Sequence, residues 1–414
     1  MMKRRRGALK PYLHRFSNGV MTPAVLCLFL VANAVFYPCS PALGASRDGS
    51  EDAPVVGSVP QKAEDAYIPD PRDFVSETFV ENLEIPWELV FLPDGRALTT
   101  EREGRIRLIR GGKLQEKPYA TIDVTAVGEG GLMGLALHPD FPGTPYVYIM
   151  YTYRDGIRIY NRVERLRDTG STLVPEKVII EKIPGSRVHN GGRIAFGPDN
   201  MLYVCTGDAR QPEIAQDLDN LGGKILRLTP DGAVPGDNPF GRSPVYAYGL
   251  RNPQGLAWDP RTKALFCSDH GPSGEFGLQG KDSIKRIIKG GNYGWPLALG
   301  KTGKSPYIDP VVYWPEATPP AGMTFFRGKL YVTSLRSEAL IRIGLRRTGD
   351  EYEAVSIERL YAQGRDNGIY GRLRGVVAGP DSELYIFTSN RDGRGDLRKE
   401  DDKIIRLVYR QGQG

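Results

Sequence analysis

One unit recurs along the chain and limits what it can fold into. An apolar residue leads into a turn built on Pro-Asp or Gly, and a strand-like run follows that ends in Thr, Ser, Asp or Glu. Copies begin at Phe91 (FLPDGRALTTE), His138 (HPDFPGTPYVYIMYT), Gly197 (GPDNMLYVCTGD), Asp259 (DPRTKALFCSD), Phe326 (FRGKLYVTS) and Gly379 (GPDSELYIFTS). Pro and Asp favour the turn, and β-branched and aromatic residues favour the strand. Six copies at intervals of 47 to 67 residues predict an all-β, six-bladed propeller with one four-stranded antiparallel blade per copy. A β-sandwich also needs many short strands but does not predict a Pro-Asp turn at this period. A further strand closes several copies: GRIRLIR at Gly104, KILRLTP at Lys224, ALIRIGL at Ala339 and KIIRLVY at Lys403. The strand pattern FVSETFVEN from Phe74 precedes the first copy, and it is expected to pair with the C-terminal strand and close the ring without exposed edges.

Outside the repeats the chain opens on a basic start and an apolar run over residues 24–36, followed by small residues around Ala42 and Gly44. That is the three-part pattern of a secretory signal, and the run is shorter than the ~20 residues a spanning helix needs. Residues 1–44 are therefore expected to be removed on export, leaving a periplasmic or secreted protein with no stable membrane insertion. Residues 45–72 are acidic and Pro-rich without apolar periodicity, which predicts a flexible linker before a propeller over residues 73–410. The six basic residues of segment 1–44 account for the whole formal excess of +6, so the remainder is balanced and offers no footprint for nucleic acid. Cys205 and Cys267, the only cysteines left after the leader, sit in apolar strand patterns. They read as packed small hydrophobes, with a disulfide between blades as the alternative.

Propellers work through loops at one mouth of the channel, so the longer connections carry the chemistry. The chain has four histidines, one of them in the leader. His189 precedes a Gly-Gly pair that permits close backbone approach, and Asp208 ends the strand that follows, so base and carboxylate stand at the two ends of one hairpin-sized unit. His138 lies in a repeat turn and reads as structural. No Gly-rich phosphate loop joins a strand to a helix, which argues against nucleotide cofactors.

The ordered set GGLMGLALHPDF, HNGGRIAFGPD, YGLRNPQGLAWDP, HGP, GGNYGWP and RLRGVVAGPD resembles the glucose/sorbosone dehydrogenase family, the soluble quinoprotein sugar dehydrogenases, over nearly all of residues 80–408. The resemblance implies a six-bladed propeller that oxidises the anomeric carbon of aldoses with pyrroloquinoline quinone (PQQ) and calcium, and passes electrons to an external quinone, dye or cytochrome. It makes His189 the catalytic base, and places Arg251 and Asn252 near the quinone oxygens. The carbonyls of Gly271 and Pro272 would bind calcium, Arg372 and Arg374 would grip the cofactor, Arg336 stands where a relative has lysine, and Glu129 where relatives can have glutamine. The acidic pair that relatives carry after Gly-Pro is displaced here by residues 274–280 and replaced by Asp282-Ser283, which puts a second, structural calcium site in doubt.

The chemistry of these residues agrees with that implication. PQQ carries three carboxylates, and arginine forks bind carboxylates through paired bonds. Arg372 and Arg374, two apart on an extended segment, point to the same side, although such a pair more often marks a solvated strand face. Calcium takes oxygen ligands, which a Gly-Pro turn supplies through its carbonyls. A neutral His189 would take the sugar hydroxyl proton, with Asp208 orienting the ring. Two rival readings keep the fold: a non-catalytic binding module, and a calcium-dependent lactonase-type hydrolase. The hydrolase has no need of four arginines around one channel.

Overall fold

The computed structural model describes residues 54–410 and consists of strands with three short 3-10 turns. The segment read as a secretory signal lies outside the described residues. Among the described residues, no helix is long and apolar enough to cross a membrane.

Six antiparallel sheets follow one another along the chain. The first strands, counted from the axis outward, are Pro86–Phe91, Leu132–Leu137, Ile194–Phe196, Pro253–Trp258, Pro320–Phe326 and Leu373–Ala378, in blades 1 to 6. The repeated turn of the sequence joins each of these to the second strand of its blade, for instance Leu202–Thr206 in blade 3 and Leu384–Thr388 in blade 6. Phe74–Val80 pairs antiparallel with Ile404–Tyr409 as the outer strand of blade 6, so the two ends of the domain share one sheet and close the ring. Closure of this kind leaves no free edge between the first and last blade.

Alternation along the strands sends apolar side chains to both faces, and each face packs on a neighbouring blade. Among the described residues, six of the seven apolar clusters lie one at each blade interface. Leu98, Ile106 and Leu132 join blades 1 and 2, while Leu89, Ile109 and Phe387 join blades 6 and 1. Each such side chain contributes roughly 1.5–3 kcal/mol on burial. Cys205 and Cys267 are buried free thiols in the core between blades 3 and 4.

The polar residues predicted at the ends of the second strands are buried, and they act as posts for the loops above them. Asp269 receives the backbone N–H groups of Arg251 and Asn252, the latter at 2.8 Å, and the Lys285 ammonium at 2.8 Å. Thr388 bonds Asp402, and Thr206 bonds the Leu221 carbonyl at 2.5 Å.

One expectation is overturned. Part of the segment read as a flexible linker lies against the propeller: Asp65–Ile68 adds a fifth, parallel strand to blade 5 along Glu351–Leu360, and Val55–Val56 pairs with Ala298–Leu299. The outer edge of a blade offers unpaired backbone groups that an extended segment satisfies whatever its side chains. Asp65 fixes this pairing, bonding Arg359 and accepting from Trp314 Nε1 at 3.2 Å.

Candidate active site

Two sets of loops meet at one mouth of the channel. Those entering the first strands bring Glu129, His189, Arg251, Asn252 and Arg372, and those joining second to third strands bring Arg102, Gly271, Pro272, Arg336 and Arg394. They line a cleft of about 480 Å³ together with Arg374 from the inner strand of blade 6. Nine of the ten residues singled out in the sequence line this cleft, and the tenth, Asp208, stands directly behind His189.

His189 has φ +59°, an unfavourable backbone conformation for a non-glycine residue that concentrates at functional sites. It is enforced by close packing of its loop on the end of the second strand. A Cβ on Gly207 would stand 2.0 Å from the His189 carbonyl oxygen, and one on Gly191 would stand 2.4 Å from that of Cys205. The ring Nδ1 lies 2.8 Å from Asp208 Oδ1. Because a carboxylate only accepts, Nδ1 carries the hydrogen, and in the neutral ring Nε2 is the acceptor facing the cleft. Asp208 is fully buried and also receives the Arg210 N–H and Trp295 Nε1–H, each at 2.8 Å.

Glu129 and Asn252 serve the same loop. Glu129 Oε2 accepts the His189 N–H at 3.2 Å, while Oε1 meets Arg394 Nη1 at 2.7 Å across the mouth. Burial alone would raise the Glu129 carboxyl, but Arg394 above all holds it below its ordinary value. Asn252 Oδ1 accepts the Gly191 N–H at 2.9 Å, and its amide nitrogen lies 3.3 Å from His270 Nδ1. His270 Nε2 donates to the Pro320 carbonyl at 3.0 Å, and burial pushes this imidazole down to about 3, so it stays neutral and keeps Nδ1 as an acceptor.

The cations differ in setting. Arg372 donates twice to Asp392 Oδ2, at 3.0 and 2.8 Å, and Arg374 bonds Gln254 Oε1 at 2.9 Å. Both are buried, as is Arg251. Arg336 sits at the rim with its side chain 56% exposed, 3.6 Å from Asp366. Six guanidinium groups face three carboxyls in the lining, those of Glu129, Asp282 and Asp392. The Nε atoms of Arg102, Arg251 and Arg374 are buried without a partner. Orphaned buried donors and surplus positive charge fit a polyanionic ligand.

Gly271 is held by Asp282, whose Oδ1 accepts its N–H at 2.9 Å and whose Oδ2 accepts that of Thr318 at 2.6 Å. Among the described residues, no group of three or more His, Cys, Asp or Glu forms a metal cluster. A hard cation here would draw on carbonyl oxygens such as those of Gly271 and Pro272.

Arg102, Gln254, Asp392, Arg394, Trp295 and Glu275 are site residues that sequence reasoning did not select. Most are cleft-lining or salt-bridged groups on loops between second and third strands, where no repeated spacing marks them. Trp295 has a signal, the NYGWP motif, but reads as core.

The Glucose / Sorbosone dehydrogenase family profile matches residues 83–405. Aldose sugar dehydrogenase YliI of Escherichia coli (strain K12) is 33% identical over 353 residues, covering 77% of this chain and 90% of the relative. The crystal structure of an oxidoreductase (glucose dehydrogenase) from Thermus thermophilus is 49% identical, with TM-score 0.76 over 81% of this chain and all of that one. The PQQ-bound aldose sugar dehydrogenase of Streptomyces coelicolor is 38% identical, with TM-score 0.70 over 82% of this chain and 99% of that one.

Proposed function

Because the chain belongs to the glucose/sorbosone dehydrogenase family, we propose that it oxidises aldoses at the hemiacetal carbon to lactones, using PQQ and calcium and an external electron acceptor. The observation that carries this reading is the His189–Asp208 pair, whose free Nε2 opens into a cleft with six guanidinium groups. The quinone, when bound, supplies the hydride acceptor.

The chain's own residues do the rest. Arg251, Arg372 and Arg374 offer buried donors to the cofactor's carboxylates and quinone oxygens, and the Gly271 and Pro272 carbonyls offer oxygen to calcium. His189 Nε2 takes the proton of the C1 hydroxyl as hydride leaves C1. Asp208 then faces the imidazolium so formed and stabilises it through Nδ1–H. Export by way of residues 1–44 is part of the same proposal, and it predicts a mature N-terminus near Ala45 or Ser46 by mass spectrometry.

The test is a titration of purified protein with PQQ, with calcium and with a chelator, followed by dye reduction with a panel of aldoses. Saturable binding that needs calcium, and dye reduction that needs PQQ, are expected. Equal weak binding in both conditions would remove calcium from the reading, and loaded protein that reduces no dye with any aldose would favour a binding module.

A further inference from the structure

The segment 274–280 that separates the Gly-Pro turn from Asp282 brings Glu275 back to Arg251 and His189, two residues of the cleft lining. Glu275 Oε1 accepts from Arg251 Nη2 at 2.7 Å and lies 3.9 Å from His189 Nε2, while Oε2 accepts the Ser273 N–H at 2.6 Å. Burial alone would raise the Glu275 carboxyl, but the Arg251 guanidinium and the Ser273 N–H outweigh it and hold it at about 2. It is therefore a carboxylate, which only accepts hydrogen bonds. Next to it, Phe276 has φ +54° and meets the Trp295 ring edge-on at 5.9 Å, which fixes the segment on the same side as Asp208.

In the neutral ring His189 Nε2 is an acceptor as well, since Nδ1 carries the ring hydrogen toward Asp208. Two acceptors thus stand 3.9 Å apart, Oε1 taking one Arg251 hydrogen and keeping a lone pair free, and neither can donate to the other. One hydroxyl cannot serve both, because it has a single hydrogen. Two hydroxyls on adjacent carbons can, each giving its hydrogen to one acceptor at an ordinary distance of roughly 2.7–2.8 Å.

We propose that His189 and Glu275 together read a vicinal diol: the hydroxyl on the reacting carbon bonds His189, the hydroxyl on the next carbon bonds Glu275, and the substrate class is aldoses with a free 2-hydroxyl. This rests on the dehydrogenase reading and narrows it. Arg251 holds the carboxylate in place, so Glu275 acts as a specificity-determining residue and leaves the proton transfer to His189. A site that hydrogen-bonds a substrate hydroxyl discriminates against the analogue that lacks it, because its own acceptor is then left unpaired.

Holoprotein loaded with PQQ and calcium is assayed with glucose and with 2-deoxyglucose, in wild type and in Glu275→Ala and Glu275→Gln, by kcat/KM and by equilibrium binding of each sugar. Wild type is expected to favour glucose by about 10–10²-fold, the range for one hydrogen bond to a charged group. In Glu275→Ala this ratio should fall to a few-fold, through loss on glucose with 2-deoxyglucose little changed, and Glu275→Gln should recover part of it. Turnover with an unchanged ratio overturns the proposal and leaves the dehydrogenase reading intact. Tighter PQQ binding by Glu275→Ala together with an unchanged ratio identifies the residue as a counter-ion of Arg251 alone and also overturns it. Sugar binding without turnover still reads the ratio, and binding of neither sugar overturns both.

Discussion

Asp208 is held between two ring donors, with His189 Nδ1 at 2.8 Å on one carboxylate oxygen and Trp295 Nε1 at 2.8 Å on the other. The tryptophan fixes the carboxylate and the carboxylate fixes the imidazole, so the free Nε2 is aimed by a chain of two hydrogen bonds spanning three loops. For the proton transfer proposed for His189, a ring held in this way would need no movement before accepting.

His189→Asn tests the base itself. Asparagine has a polar end but no basic nitrogen, so the variant should fold, bind PQQ within a few-fold of wild type and lose about 10²–10⁴-fold in turnover. Stopped-flow dye reduction with loaded protein measures this. Equal rates with and without His189 would remove it from the proton transfer.

Asp208→Asn should keep the size of the side chain and the bond from Trp295 but present a neutral group to His189 Nδ1. Loss of the fixed tautomer and of the charge facing the imidazolium is expected to lower kcat by about 10²–10⁴-fold while KM changes little. A rise in KM alone would make Asp208 part of the sugar site.

Much of this arrangement is legible in the sequence, for identifiable reasons. The Pro-Asp turns mark the inner half of every blade because turn geometry constrains residue type. His189 and Asp208 bracket one hairpin, so their meeting depends on local structure alone. The docking of Asp65–Ile68 on blade 5 is hidden, since strand addition uses backbone groups that every residue has. Glu275, Asp392 and Arg394 are hidden for another reason: they reach the site from loops of blades 4 and 6, and what gives them meaning is proximity to Arg251, Arg372 and Glu129, distant in sequence. Arg336, grouped in the sequence with the buried arginines, differs from them in exposure, which sequence pattern does not reveal.

That difference predicts unequal roles in cofactor binding. Arg374→Ala removes a buried guanidinium and should weaken PQQ by roughly 2–5 kcal/mol. Arg336→Ala removes a solvated one and should cost less than about 1 kcal/mol. Titration calorimetry in calcium compares them directly, and a larger loss at Arg336 would mean that the rim closes onto the cofactor.

The last prediction concerns Lys224, which is fully buried at the root of the loop that carries Asp208. Its Nζ donates to the carbonyls of Ile214 at 2.7 Å, Ala215 at 3.1 Å and Gly222 at 2.6 Å. Burial pushes this ammonium down from 10.5 to about 7, with Asp217 opposing. Between about pH 7 and 10.5 the unfolded chain therefore holds a proton that the folded chain has released, and stability rises with pH across that window. Below about pH 7 both states are protonated and the contribution is flat, at its least favourable. Lys224→Met lacks this titration and takes the side-chain donor from three carbonyls, of which that of Ala215 keeps the Gly249 N–H at 2.9 Å and that of Ile214 the Asp217 N–H at 3.2 Å. Urea unfolding at about pH 6 and about pH 9.5 should show the stability of wild type relative to Lys224→Met increasing with pH. Comparison of the two proteins cancels the groups they share. An identical pH slope in both would mean that the three carbonyls keep Lys224 charged throughout, and that its cost of burial is already met by those bonds.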